Sequence, residues 1–165
     1  MRKLLFLLVF LSVTFVTQAQ NSKGDQSFLF QTGYQSNAER FLLGMQYRYV
    51  VANNIRVAPD VMYFFPKDKT NGLDINLNLH YVVDIDNGLS LYPLMGFAMQ
   101  NNRFMGRTVH GERVQKARGY TDFGFNMGAG FGYNITGNLF LNSELKYMFG
   151  DNDCFVFSLG VGFHF

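Results

Sequence analysis

The chain holds a single cysteine, Cys154, so it can close no internal disulfide and build no CxxC metal or redox site. Charge of one sign is scarce as well. The 14 basic and 12 acidic residues leave a formal net charge of +2, too little to create the bulk field that a nucleic-acid partner requires. No apolar run is long enough to cross a bilayer as a helix: the longest, Leu4 to Val16, has 13 residues, against about 18 or more for a spanning helix. No HExxH, DxDxDG or P-loop string occurs, so neither a metal nor a cofactor has a motif behind it. Tryptophan is absent, yet aromatic content reaches 17% through 19 Phe and 9 Tyr, beside 17 Gly. That mixture favours strands over helices.

The short apolar run has an address-like setting. Arg2 and Lys3 precede it, and Thr17, Gln18 and Ala19 place small residues behind it, which is the layout of a secretory signal peptide over residues 1–19 with cleavage before Gln20. Loss of Arg2 and Lys3 brings the basic count level with the acidic one. Residues 20–26 then read as a short periplasmic segment ahead of one domain over 27–165.

Through that domain apolar residues recur at every second position, the side-chain period of a strand. Phe28, Phe30 and Tyr34 mark the first of eight segments; Phe41, Leu43, Met45, Tyr47 and Tyr49 the second; Ile55, Val57, Val61, Tyr63 and Phe65 the third. In the fourth, Leu73, Ile75, Leu77, Leu79, Tyr81, Val83 and Ile85 alternate with Asp74, Asn76, Asn78, His80, Val82 and Asp84. The others run Leu89 to Met99, Phe123 to Tyr133, Leu139 to Phe149 and Phe155 to Phe165. Most have the length of a tilted transmembrane strand, about nine to eleven residues, rather than the five or six or so of soluble sheets. Ala52-Asn53-Asn54, Asp86-Asn87-Gly88 and Asn134 to Asn138 supply residues that accept left-handed backbone and predict tight hairpins on one rim. Pro66 to Gly72 and Asn101 to Thr121 predict longer, charged loops on the other.

Period two alone fits both a soluble cup with its apolar face inward and a membrane barrel with it outward. The aromatics separate them. With strands alternating in direction, Tyr34, Tyr63, Phe65, Phe123, Tyr147 and Phe149 gather at one rim and Tyr47, Tyr49, Tyr81, Tyr133, Phe163 and Phe165 at the other. Two girdles on the apolar face answer the two interfaces of a bilayer. The opposite face carries Gly44, Gly96, Gly124, Gly128, Gly130, Gly132, Gly160 and Gly162, which suit a narrow interior. The predicted fold is all-β: an antiparallel, eight-stranded transmembrane β-barrel of the bacterial outer membrane.

The interior-facing phase contains Arg40, Arg48, Arg56 and Lys146 against Asp60, Asp74, Asp84, Asp122 and Glu144. Buried charges must pair or stay hydrated. Arg48, Arg56, Asp60, Asp84, Glu144 and Lys146 are therefore expected to form a luminal ion-pair network, the alternative being a gated ion path through it. A lipid-modifying Ser/His pair would need an imidazole facing lipid beside a serine. His80 falls on the luminal phase, His164 inside the rim and His110 in a loop with no serine, so no catalytic residue is assigned. Gly128-Ala-Gly130-Phe-Gly132 lacks GxGxxG spacing and reads as strand. Arg103, Arg107, Arg113, Lys116 and Arg118 stand against Glu112 alone in the longest loop. They form a candidate site for anionic lipid, lipopolysaccharide included, against the plainer reading of a solvated loop.

The hairpin Gly124-Phe-Asn-Met-Gly-Ala-Gly-Phe-Gly-Tyr-Asn134 followed by Leu139-Phe-Leu-Asn-Ser-Glu-Leu-Lys-Tyr147, and the ending Ser158-Leu-Gly-Val-Gly-Phe-His-Phe165, resemble the closing strands of the porin-like outer membrane β-barrel family. The resemblance implies a barrel of the OmpA/OmpX type with both termini in the periplasm. It also implies that Phe163 and Phe165 form the terminal signal read by the barrel-assembly machinery. An eight-stranded barrel is just wide enough to be filled by its own side chains, so a wide diffusion pore is not expected. The reading is a monomeric, non-enzymatic barrel with a structural, adhesion or surface-binding role; a narrow channel is the runner-up and a lipid A-modifying enzyme comes third.

Overall fold

In the computed structural model, residues 22–85, 88–109, 112–115, 117–150 and 153–165 are described; the predicted leader and its cleavage point lie outside them. Eight long strands follow one another: β1 (Gln26–Gln35), β2 (Arg40–Ala52), β3 (Ile55–Lys67), β4 (Thr70–Tyr81), β5 (Leu89–Phe104), β6 (Arg118–Asn134), β7 (Leu139–Phe149) and β8 (Cys154–His164). Each pairs antiparallel with the next, and β1 pairs with β8 from Ser27 opposite His164 to Gln35 opposite Val156. The sheet is closed into a cylinder. Closure leaves no strand edge unpaired along the wall, the condition for crossing a bilayer with strands.

The pleat sorts the side chains as the alternation predicts. Phe41, Phe97 and Phe123 point outward with 68%, 72% and 78% of their surface exposed. The inward positions beside them bury Arg48, Asp60, Glu144 and Lys146. Such an inversion is unstable in water and stable in hydrocarbon. On the outward face the rings of Phe97, Phe125, Phe149, Tyr147 and Phe155 follow one another at centroid separations of 4.6 to 6.4 Å, linking β5 to β8. Leu77 lies well inside the membrane band, between Pro59 on β3 and Phe97 on β5. Leu77→Arg is expected to destabilise the barrel by about 2–4 kcal/mol, read by reversible denaturant unfolding in lipid vesicles; a change indistinguishable from zero would turn the faces around.

The β4–β5 ladder breaks after His80 opposite Leu94 and resumes at Val83 opposite Leu91 without a change of register. The gap holds Tyr81 and Val82, and the position across from Tyr81 is Pro93, which has no N–H to give.

Two predicted loops are corrected. Pro66 to Gly72 is not a long loop: β3 runs to Lys67, β4 begins at Thr70, and Asp68 and Lys69 make the turn with φ of 50° and 63°. Two consecutive left-handed residues form the hairpin turn that matches strand twist, but Asp-Lys is not a sequence that announces it. Asn101 to Thr121 is also mostly strand. β5 extends to Phe104 and β6 starts at Arg118, paired from Asn101 opposite Thr121 to Phe104 opposite Arg118, and Arg107–Val109 pairs with Glu112–Gln115 above them. Apolar alternation stops there because both faces leave the hydrocarbon; backbone pairing continues because it does not depend on lipid. The opposite rim carries the predicted turns at Ala52 to Asn54 and Asn134 to Asn138, the start of β1 and the end of β8, with Phe165 N donating to Gln26 O at 3.1 Å; Asp86 and Asn87 of the third predicted turn lie outside the described residues.

Candidate functional site

The interior is filled in layers, each supplied by inward positions of several strands. Nearest the rim that holds the chain ends, Arg48 on β2 bonds Glu144 on β7 at 3.0 Å and donates to the Tyr92 hydroxyl at 3.1 Å. That hydroxyl lies 2.8 Å from Glu144 Oε1 and 2.6 Å from Asn142 Oδ1. The Arg48 guanidinium also lies 5.2 Å from the Phe140 ring centroid. Glycines make room for these rings: a Cβ on Gly130 would run into Tyr92, and one on Gly162 into Phe140.

Arg56 reaches the same Tyr92-centred layer through a histidine: it donates to His80 Nδ1, at 3.0 and 3.3 Å, and its guanidinium lies over the Tyr92 ring at 4.7 Å. A guanidinium cannot accept, so Nδ1 is the acceptor and the imidazole proton sits on Nε2. His80 in turn stacks on Tyr92 at 4.7 Å. Asp84 shares with Arg56 the wall of a vestibule of about 560 Å³ that opens at this rim.

At mid-depth Lys146 bonds Asp60 at 3.0 Å, both side chains fully buried. Asp60 also accepts from Asn76 and Asn78, and Asn126 donates onward to the oxygens of both, at 3.1 Å each. Of the six expected members, then, four form two ion pairs. The hubs Tyr92, Asn76, Asn78 and Asn126 were not singled out from the sequence, although all lie on the inward phase.

Above this layer sits a feature the sequence reading missed. Leu42, Met62, Phe64, Ala98, Met148, Cys154 and Val156 form a buried apolar cluster inside the barrel. Inward apolar residues on β2 and β3 were the available signal, hidden in runs such as Phe41-Leu42-Leu43 where both faces are apolar. Over the cluster Arg40 donates to Gln35 Oε1 at 2.9 and 2.7 Å and to Asn102 Oδ1 at 3.0 Å, with Phe64 beneath its guanidinium. A second vestibule, of about 330 Å³, opens there toward the projecting hairpins. On its rim Glu39 and Lys67 form an ion pair. The hydrogen bond and charge of Lys67 hold the Glu39 carboxyl below its ordinary range.

The predicted basic loop residues are spread over the corrected elements. Arg103 and Arg118 are exposed near the outer ends of β5 and β6. Arg107 and Arg113 belong to the small hairpin, and Lys116 lies outside the described residues, as does His110. Phe163 and Phe165 are exposed at the opposite rim on the lipid-facing side. Neither described histidine is hydrogen-bonded to a serine: His80 holds Arg56 and His164 lies 3.3 Å from Asn134 Oδ1.

Over residues 9–165 the chain matches the family described as outer membrane protein beta-barrel domain. Among solved structures it is similar to the N-terminal barrel domain of Pseudomonas aeruginosa OprF, with TM-score 0.72 and 21% identity over 88% of this chain and 100% of that one. It is similar to Ail, the attachment invasion locus protein of Yersinia pestis, with TM-score 0.62 and 17% identity over 87% and 99%. Neisserial surface protein A aligns with TM-score 0.57 and 18% identity over 86% and 96%. These identities establish a shared fold and nothing finer. No curated protein matches the chain.

Proposed function

The chain belongs to the outer membrane protein beta-barrel domain family, and from that premise we propose that it is a closed, non-catalytic barrel whose work is done at one rim, in surface binding or adhesion. The observation that carries this reading is the double closure of the interior. The Asp60–Lys146 layer and the Leu42–Phe64–Met148 layer both lie between the two vestibules. A solute would have to break a buried ion pair and displace an apolar cluster to pass. In planar bilayers the purified barrel is expected to give no sustained conductance; steady unitary currents would replace the surface-binding reading with a narrow channel.

The orientation proposed puts the chain ends and tight turns in the periplasm and the projecting β3–β4 and β5–β6 hairpins outside. Export by the 1–19 leader and folding by the assembly machinery support that direction. Attachment belongs to Ail, and it supports a rim function here only by likeness of fold.

Arg103, Arg107, Arg113, Lys116 and Arg118 would then face the phosphates of lipopolysaccharide. Replacing all five by Gln should leave the barrel folded, since Arg103 and Arg118 are exposed and the other three fall between β5 and β6, outside the eight strands of the wall, and should weaken lipopolysaccharide binding. Wild-type binding should also decline as salt rises, because exposed charges are screened beyond about 8 Å at physiological ionic strength. Binding by the folded five-fold variant equal to wild type, at low salt, would leave these residues as solvated surface.

A further inference from the structure

We propose that the vestibule at the hairpin rim is a saccharide site that holds one sugar ring. Its volume of about 330 Å³ lies at the small end of ligand pockets, which span roughly 300–1,000 Å³. Its base is preorganised: Arg40 is clamped by Gln35 and Asn102 and laid over Phe64, so little side-chain freedom is lost when a ligand arrives.

The lining has the chemistry of a polyol partner. Gln35, Gln100 and Asn102 are each more than nine-tenths buried yet border the cavity; Gln35 spends both ends of its amide on Arg40 and Cys154 Sγ, which leaves Gln100 and Asn102 for a ligand. Planar amides both donate and accept, as adjacent sugar hydroxyls do. Gln100 in particular gives its Nε2 to Met148 Sδ at 3.8 Å, a weak thioether acceptor that a hydroxyl oxygen would outcompete. Tyr120, 47% exposed on the wall, offers an apolar ring face to sugar C–H groups.

Charge argues for a neutral ring over an anion. Lys67 is engaged by Glu39, Asp68 stands on the same rim, and among the described lining residues Arg40 is the one cation at the base. The apolar cluster beneath makes the vestibule a cup, not an entrance. Facing the medium, as in the orientation proposed above, the cup would meet glycans; the binding itself does not depend on that orientation.

The test uses the purified mature chain in lauryldimethylamine oxide, since a maltoside detergent would compete. Methyl glycosides of glucose, galactose and N-acetylglucosamine, core oligosaccharide released from lipopolysaccharide, and inorganic phosphate are titrated separately against the side-chain amide NMR signals of Gln35, Gln100 and Asn102. Saturable shifts are expected with at least one sugar. Gln100→Leu, close in volume, should weaken that binding about tenfold and leave the remaining spectrum intact, and Tyr120→Ala should weaken it severalfold. Tighter binding of the core oligosaccharide would assign the ring to the cell's own lipopolysaccharide; tighter binding of a glycoside would assign it to other glycans. Silence from every sugar, saturation by phosphate alone, or undiminished binding in both variants would overturn the site. Biotinylation of Lys67 and Lys69 on intact cells reads the orientation separately, so failure of one claim is distinguishable from failure of the other.

Discussion

Asp60→Ala is expected to destabilise the barrel by about 3–5 kcal/mol, the range for breaking a buried ion pair by removing one partner. The cost arises from what is left behind. Lys146 is left with no carboxylate beside it and no exposure to water, and the amides of Asn76 and Asn78 lose the carboxylate they donate to. Lys146→Met should cost less, because Asp60 would retain both amide donors. The double variant Asp60→Leu, Lys146→Met should recover much of the loss, since the buried charges leave together. Reversible urea unfolding in vesicles measures all three. Equal and small effects for both single variants would mean that water reaches this layer, and the double closure on which the non-conducting reading stands would fall with it.

That layer also shows where sequence reading succeeds and where it stops. The faces were legible because one residue in two is apolar through each of the eight strand segments, and a slip of one residue would move the whole set to the wrong side. The interior charges were legible by the same parity. Their partners were not, since which inward residues meet across a barrel depends on tilt and stagger between strands distant in sequence. Arg48 meets Glu144 across 96 residues, while Arg56 meets the imidazole of His80. The vestibule amides escaped notice for a related reason: Gln35, Gln100 and Asn102 come from β1 and β5, and only closure of the sheet gathers them around Arg40. The projecting hairpin was misread because hydrophobic alternation reports the membrane, and Asn101 to Phe104 pair with Arg118 to Thr121 beyond it.

Removal of Phe165 is expected to lose most of the protein from the outer membrane while changing the stability of the refolded barrel little. The two halves of that expectation have separate origins. Phe165 is 72% exposed and its backbone N–H makes one bond, to Gln26 O, so its deletion should cost within about 1 kcal/mol at equilibrium. Phe163, by contrast, sits within the β8 ladder opposite both Phe28 and Leu139, and changing it would mix a folding defect with an assembly defect. The terminal aromatic is therefore the cleaner probe of the signal implied by the family resemblance. Heat-modifiable mobility of the outer-membrane fraction reports assembly in cells, and unfolding of protein refolded from urea reports stability without the assembly machinery. Normal outer-membrane levels of the truncated chain would remove Phe165 from the signal. A large loss of refolded stability would instead make the residue a structural clamp between the two chain ends, and the assembly defect would then follow from the fold and not from recognition.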